Sequence, residues 1–258
     1  MGLLLLGVVL AGFFMLAYMF MQAHQNRLAF LHLEYGNFPL EKGELSILFI
    51  SDIHRRRISG KLLDRMPHKP DLICIGGDLT EKGVPLERTR KNLNMLRTYG
   101  ETVMVLGNND PEAGLSALKQ VLEEERIILL ENDSFPIAKD KPGNVQLVGV
   151  SELKFKWDRL ELALLKSKEA DFRILLCHNP EIERQLDKGS GIQLALSGHT
   201  HGGQIRLFGF GPYEKGKFHK KEFGDHLISN GYGTTQLPLR LGARSEAHFI
   251  TITSKKVD

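Results

Sequence analysis

The chain has 258 residues, of which 42% are hydrophobic and 25% charged, with 34 Lys and Arg against 31 Asp and Glu. That balance excludes a predominantly disordered chain, and a formal charge of +3 is too slight to point to a nucleic-acid partner. Two cysteines without a CxxC pair exclude a disulfide scaffold and a zinc–thiolate or redox motif, so the chemistry must lie with the histidines and their acidic neighbours.

Residues Met1 to Ala23 carry no charged side chain. A run of about 20 apolar residues matches the hydrocarbon core of a bilayer. No Lys or Arg precedes Leu3, and Met21-Gln22-Ala23 is a poor cleavage site, so the run reads as a retained single-pass anchor in the cell membrane. The first basic residue beyond it is Arg27, which favours a domain on the cytoplasmic face. Cys74 and Cys177 lie in apolar runs where reduced, buried thiols are expected, and this is compatible with that side. The division expected is an anchor over 1–24, a linker over 25–44 and one domain over 45–258.

From about Gly43 short apolar runs alternate with amphipathic stretches, the pattern of an α/β domain. Strands are expected at Ser46–Ser51, Asp71–Gly76, Thr102–Gly107, Arg126–Glu131, Val145–Val150 and Phe172–Cys177, then at Gln193–Ser197, Gln204–Leu207, His226–Ser229 and Ala247–Thr253. Helices are expected at Gly60–Pro67, Pro85–Tyr99, Pro111–Glu124, Asp158–Ser167 and Pro180–Asp187. Pro85 and Pro111 suit a first helical turn, where no N–H is needed.

Five short motifs each follow a buried apolar strand: Ser51-Asp52-Ile53-His54, Gly76-Gly77-Asp78, Gly107-Asn108-Asn109-Asp110, His178-Asn179 and Gly198-His199-Thr200-His201. Strand carboxyl ends border the ligand crevice of open α/β sheets, so these groups can converge. Singly each is ordinary turn or capping chemistry. Together they offer carboxylate, imidazole and amide oxygen without thiolate, a set suited to divalent metals of intermediate hardness. The glycines before the ligands let the backbone turn sharply.

In this order, over residues 47 to 205, the motifs resemble the calcineurin-like metallophosphoesterase superfamily, with Gly198-His199-Thr200-His201-Gly202-Gly203-Gln204 as the most specific piece. The anchored layout further resembles its membrane-anchored bacterial YkuE/YpbG type. The resemblance implies a four-layer α/β/β/α sandwich with two central mixed sheets, preceded by one N-terminal transmembrane helix. It implies two divalent ions, Mn, Fe or Zn, with Co or Ni as further candidates. Asp52, His54, Asp78 and His201 would hold the first ion; Asp78 would bridge to the second, completed by Asn108, His178 and His199. A hydroxide shared between two such ions is a nucleophile at neutral pH.

Two departures from the family pattern bear on the substrate. In the family the position after Asn108 usually holds a histidine that protonates the leaving oxygen or binds the phosphoryl group, and here it is Asn109, whose amide donates hydrogen bonds but is no general acid. Asn109 and Asp110 are therefore the catalytic positions in question. Arg55-Arg56-Arg57 follows His54, either as a solvated charge run or as a cluster that binds phosphate or an anionic headgroup. The expected activity is metal-dependent hydrolysis of a phosphodiester, pyrophosphate or phosphomonoester, on a phosphorylated small molecule or a lipid-linked substrate, beside a bilayer engaged through residues 1–24. The alternative is an idle scaffold that keeps the fold for protein binding.

Overall fold

An uncharged helix, α1 (Gly2–Ala23), leads into a strand, β1 (Leu28–Tyr35). The structure, a computed structural model, describes residues 1–39, 43–137 and 143–255. The segment 25–44, expected as a linker, thus contains an eight-residue strand. Leu28 to Tyr35 pair in parallel with Ala247 to Ser254, and Ala247 N–H donates to the Arg27 carbonyl. The stretch alternates half-buried and exposed residues, as an edge strand does, and lacks the continuous apolar run of a central one.

Next come β2 (Glu44–Ile50), α2 (Gly60–Leu63), β3 (Leu72–Ile75), α3 (Leu86–Arg97), β4 (Thr102–Met104), α4 (Leu115–Glu124) and β5 (Ile128–Leu129). The helix expected over Pro111–Glu124 is split at Gly114, whose φ of 97° ends a 3-10 turn over Asp110–Ala113 before α4 starts. The second half holds β6 (Asp133–Pro136), β7 (Val145–Gly149), α5 (Leu160–Lys166), β8 (Phe172–Leu176), β9 (Leu194–Ser197), β10 (Phe218–Lys220), β11 (Asp225–Ile228) and β12 (Ala247–Ser254). Pro180–Gln185 is a 3-10 turn. The strand expected at Gln204–Leu207 reduces to isolated bridges from Ile205 to Leu241 and Gly242.

The strands form two mixed six-stranded sheets, ordered β1-β12-β2-β3-β4-β5 and β10-β11-β9-β8-β7-β6. Central strands are buried on both faces, so their side chains sort by the two-residue period into separate cores. In β2, Leu45, Ile47 and Phe49 enter the core between the sheets, where Leu147, Ile174 and Leu196 of the other sheet also lie. Leu48 and Ile50 face the opposite way with Leu63, Leu93, Leu96 and Leu122 of α2, α3 and α4. On the outer face of the second sheet, Val148, Leu175 and Ala195 cluster with Leu160 and Ala163 of α5. The result is the four-layer α/β/β/α sandwich. Parallel alignment of β2, β3 and β4, and of β7, β8 and β9, brings the motif-bearing loops of each sheet to one edge.

Candidate metal centre

Each motif begins where a buried strand stops and the backbone reverses. Five of the seven expected ligands sit in the left-handed region: Asp52 (φ 53°), His54 (51°), Asp78 (50°), His199 (72°) and His201 (50°). Non-glycine residues rarely adopt it, and its clustering at one place marks a functional constraint. Glycines give the turns room. A Cβ on Gly107 would lie 2.3 Å from the backbone nitrogen of Asp78, and one on Gly198 would lie 2.4 Å from Oδ2 of Asp52.

All seven side chains converge. His54 Nε2 lies 3.0 Å from His201 Nε2, which lies 3.4 Å from Asp52 Oδ1. His178 Nε2 lies 3.3 Å from Asn108 Oδ1 and 3.2 Å from His199 Nδ1. Between these halves sits Asp78 Oδ2, 3.6 Å from His54 Nε2 and 3.4 Å from His178 Nε2. Two triads, Asp52–His54–His201 and Asp52–Asp78–His178, have ligand atoms close enough to share an ion each. Asp52 therefore stands between the groups as well as Asp78.

The surroundings aim these atoms. His178 Nδ1 lies 2.8 Å from the carbonyl of Gly76, a contact that orients the ring with Nε2 toward the centre. Glu81 Oε2 does the same for His54, 2.9 Å from its Nδ1. His199 N–H donates to Asp52 Oδ1 over 3.0 Å. The electrostatics match a cation site. Burial opposes ionisation of Asp78, yet the adjacent His178 imidazole holds its carboxyl well below the usual range. Asp52 is held low against the same burial by His201 and His178. Burial pushes His201 down to about 3, so its imidazole stays neutral and able to ligate. Convergent oxygen and imidazole donors, with two buried carboxylates, fit a pair of divalent ions.

The other expected residues divide. Asn109 is half-buried at the cavity, but its backbone N–H and its side-chain amide both donate to Asp78, each over 2.7 Å. Asp110 is fully buried away from the cavity, where its carboxylate accepts N–H bonds from Gly107, Asp78 and Thr80 at 2.8, 2.9 and 3.0 Å. It ties together the loops after β3 and β4 and does not line the cavity, a positioning place in contrast to the catalytic one expected. Burial and the Asp78 charge raise its pKa to about 7.

The arginines are corrected as well. Arg56 stacks 3.7 Å over the ring of Tyr232 and donates to the carbonyls of Ala23, His24 and Gln25 and to Asn26 Oδ1, so it secures the end of α1. Arg55 pairs with Glu81 behind His54, and Arg57 is exposed. None of the three lines the cavity, since Arg55 and Arg56 are engaged by these other partners.

The cavity measures about 490 Å3 and is bounded by Asp78, Asn108, Asn109, His199 and His201 on one side and by Tyr213, Thr235, Gln236 and Leu237 on the other. This second wall belongs to no motif, and sequence reasoning missed it. Gln204 joins its parts: the side chain donates to the carbonyls of Thr235 and Leu237 over 3.0 Å and accepts from Thr235 N–H. Also missed is Arg240, completely buried, whose guanidinium lies 3.3 Å from His201 Nδ1 and donates to the carbonyls of Asn230 and Gly233.

The family model for calcineurin-like phosphoesterases matches residues 45–203. YpbG of Bacillus subtilis is 44% identical over 227 residues, covering 86% of this chain and 87% of its own length. The phosphodiesterase YaeI of Escherichia coli is 29% identical over 247 residues, 88% of this chain and 87% of its own. The metallophosphoesterase YkuE of Bacillus subtilis is 26% identical over 201 residues, 72% and 69% respectively. The chain spans 60% of the length of two longer metallophosphoesterases of Helicobacter pylori.

Proposed function

The chain belongs to the calcineurin-like phosphoesterase family and is a metal-dependent phosphohydrolase, and we propose that it is a membrane-anchored, two-metal enzyme that prefers phosphodiester or pyrophosphate bonds to alkyl monoesters. The observation that carries this reading is Asp78 Oδ2 standing between the Nε2 atoms of His54 and His178, at 3.6 and 3.4 Å. One carboxylate oxygen facing both halves of a donor cluster is what a bridged pair of cations requires.

In this reading Asp52, His54, Asp78 and His201 hold one ion and Asp78, Asn108, His178 and His199 the other. Bound there, two divalent ions supply Lewis acidity and lower the pKa of a coordinated water. The chain's own residues do the rest. Glu81 and the Gly76 carbonyl orient the two imidazoles. Asn109 puts an amide bonded to Asp78, and no imidazole, at the position where the family usually holds a histidine, so leaving groups that need little protonation are favoured. Phosphodiesterase is also the activity in the name of YaeI.

Helix α1 is uncharged and almost wholly exposed, as a bilayer-spanning anchor would be, and the basic Arg27 just beyond it favours the cytoplasmic face for the domain. The test is direct: purify the full chain in detergent, measure bound metals, and assay bis(p-nitrophenyl) phosphate with Mn. About two ions per chain and metal-dependent turnover are expected. Neither metal nor turnover would leave the idle scaffold instead.

A further inference from the structure

We propose that the cavity opens at the bilayer surface and that the substrate is a lipid, its phosphoester entering the cavity while its acyl part stays in the membrane. This rests on the reading above, both for the phosphoesterase chemistry and for α1 as an anchor.

The position of α1 against the domain is the first ground. Only Met19, Gln22 and Ala23 of the helix are buried. Domain loops nevertheless flank it further toward its N-terminus. Phe13 and Leu16 border a groove shared with Pro238 and Leu239, and Met15 and Tyr18 border another shared with Leu207 and Phe208. Ten residues separate Ala23 from Phe13, about 15 Å along a helix axis, whereas the whole helix is about 33 Å and a hydrocarbon core about 30 Å. A helix immersed over its full apolar length therefore carries these two loops into the near leaflet.

The loops are built for that place. Leu207, Phe208, Phe210 and Leu237 are 60, 99, 82 and 56% exposed. Large apolar side chains gathered at one surface mark an interaction site, and beside an apolar helix the lipid is the partner they fit. The tip is rigid, since Leu207 and Phe210 exchange both backbone hydrogen bonds at 2.9 Å and the Arg206 guanidinium holds the carbonyls of Gly202, Gly209 and Tyr213. Lys215 and Arg244 border the same groove as Phe208, and anionic headgroups attract such cations.

One of the two loops also walls the cavity. Leu237 lines the space that holds Asp78 and His201, while Pro238 and Leu239, the next two residues, face α1. Arg240 N–H then donates to the Met19 carbonyl over 3.1 Å. A cavity of about 490 Å3 suits a headgroup-sized ligand and leaves long acyl chains outside, where the apolar rim meets them.

The experiment uses the full chain in phosphatidylcholine–phosphatidylglycerol vesicles with Mn. Two probes share one leaving group: bis(p-nitrophenyl) phosphate in solution and dioleoylphosphatidyl-p-nitrophenol in the vesicle. In the second, water adds to phosphorus and the P–O bond to the aryl oxygen breaks. Phosphatidate and p-nitrophenol form, the leaving oxygen taking one proton of the water. The proposal expects the double variant Phe208→Ser/Phe210→Ser to lose roughly tenfold on the vesicle lipid through weakened interfacial insertion. On the soluble diester it should change less than about twofold, since both side chains are exposed and outside the cavity. It also expects the fluorescence of a Phe208→Trp variant to be quenched by lipids brominated along the acyl chain. Equal losses on both probes, or an absence of quenching in the Phe208→Trp variant, overturn the lipid proposal while leaving the phosphoesterase reading standing. Wild-type protein that hydrolyses neither probe, or that fails to float with vesicles, removes the reading beneath it and overturns both.

Discussion

The side-chain amide of Asn109 donates to Oδ2 of Asp78 over 2.7 Å, the same oxygen that faces His54 and His178. The residue at the usual acid position is thus turned onto the central carboxylate. Replacing it by His should restore part of a general acid, an effect worth about 10²–10⁴-fold when complete. Turnover of alkyl phosphodiesters should rise more than turnover of aryl ones. Matched kcat/KM values for the two classes in wild type and Asn109→His check this, and equal responses would assign proton donation to another group.

Asp78→Asn should be the most damaging single change at the centre. It removes the charge that opposes both halves of the cluster, and an amide oxygen is a poor bridge between two cations. Metal content should fall below one ion per chain, with activity reduced by at least about 10²-fold. Mass-spectrometric metal analysis beside the assay decides the matter. Two retained ions would move the bridging role to Asp52.

Glu81 does not line the cavity, yet its Oε2 lies 2.9 Å from His54 Nδ1. Outer carboxylates of this kind are worth about 10–100-fold in metal affinity. Glu81→Ala should weaken metal binding by that order, and Glu81→Gln, which keeps an acceptor without charge, by less. A competition titration with a chelator measures it; identical affinities would show that the His54 ring is held by packing alone.

Where the chain is cut before β1 should matter. Removing residues 1–23 leaves Arg56 its bonds to the carbonyls of His24 and Gln25 and to Asn26 Oδ1, at 2.8, 2.8 and 2.9 Å. Removing residues 1–26 takes all three, along with the 2.7 Å bond from Tyr232 to Asn26. The shorter chain should be less stable by about 2 kcal/mol, given the worth of hydrogen bonds to charged groups and the partial exposure of this one. Urea unfolding of the two truncations gives the difference.

Acid should destabilise the fold partly through His226. Fully buried, 3.0 Å from Ser197 Oγ and 3.3 Å from Glu183, it is pushed down to about 4 by burial, against the pull of Glu183 and with the aid of His219 and Lys221. The unfolded chain binds this proton below about pH 6.5 and the folded one only below about 4. Stability from this group is therefore present above pH 6.5 and lost as pH falls toward 4, on the order of 3 kcal/mol in all. His226→Gln should flatten the pH dependence of unfolding between those limits. An unchanged slope would show that His226 protonates within the folded state.

The seven candidate ligands were legible because each follows a buried strand, and a strand buried on both faces announces itself as a short apolar run ending in a small residue. The strands overlooked, β1, β6 and β10, all lie at sheet edges. Edge strands bury one face at most, so His32, Asp133 and Lys220 interrupt their patterns. The second cavity wall was hidden for another reason. Gln236 and Leu237 act through a loop held by Gln204 from some thirty residues away, and no local period encodes that. Arg55–Arg57 show the opposite error, since adjacency in the chain suggested a common task for side chains that part company in space.

β12 lies between β1 and β2, pairing in parallel with the one and antiparallel with the other. The first sheet therefore cannot close until residues 247–254 have left the ribosome, by which time α1 has long been made. Until then β1 and β2 each present an unpaired edge beside the membrane, a condition that favours mispairing. Mutations that weaken β12 are thus expected to reduce the yield of folded protein during synthesis more than they reduce the stability of molecules already folded.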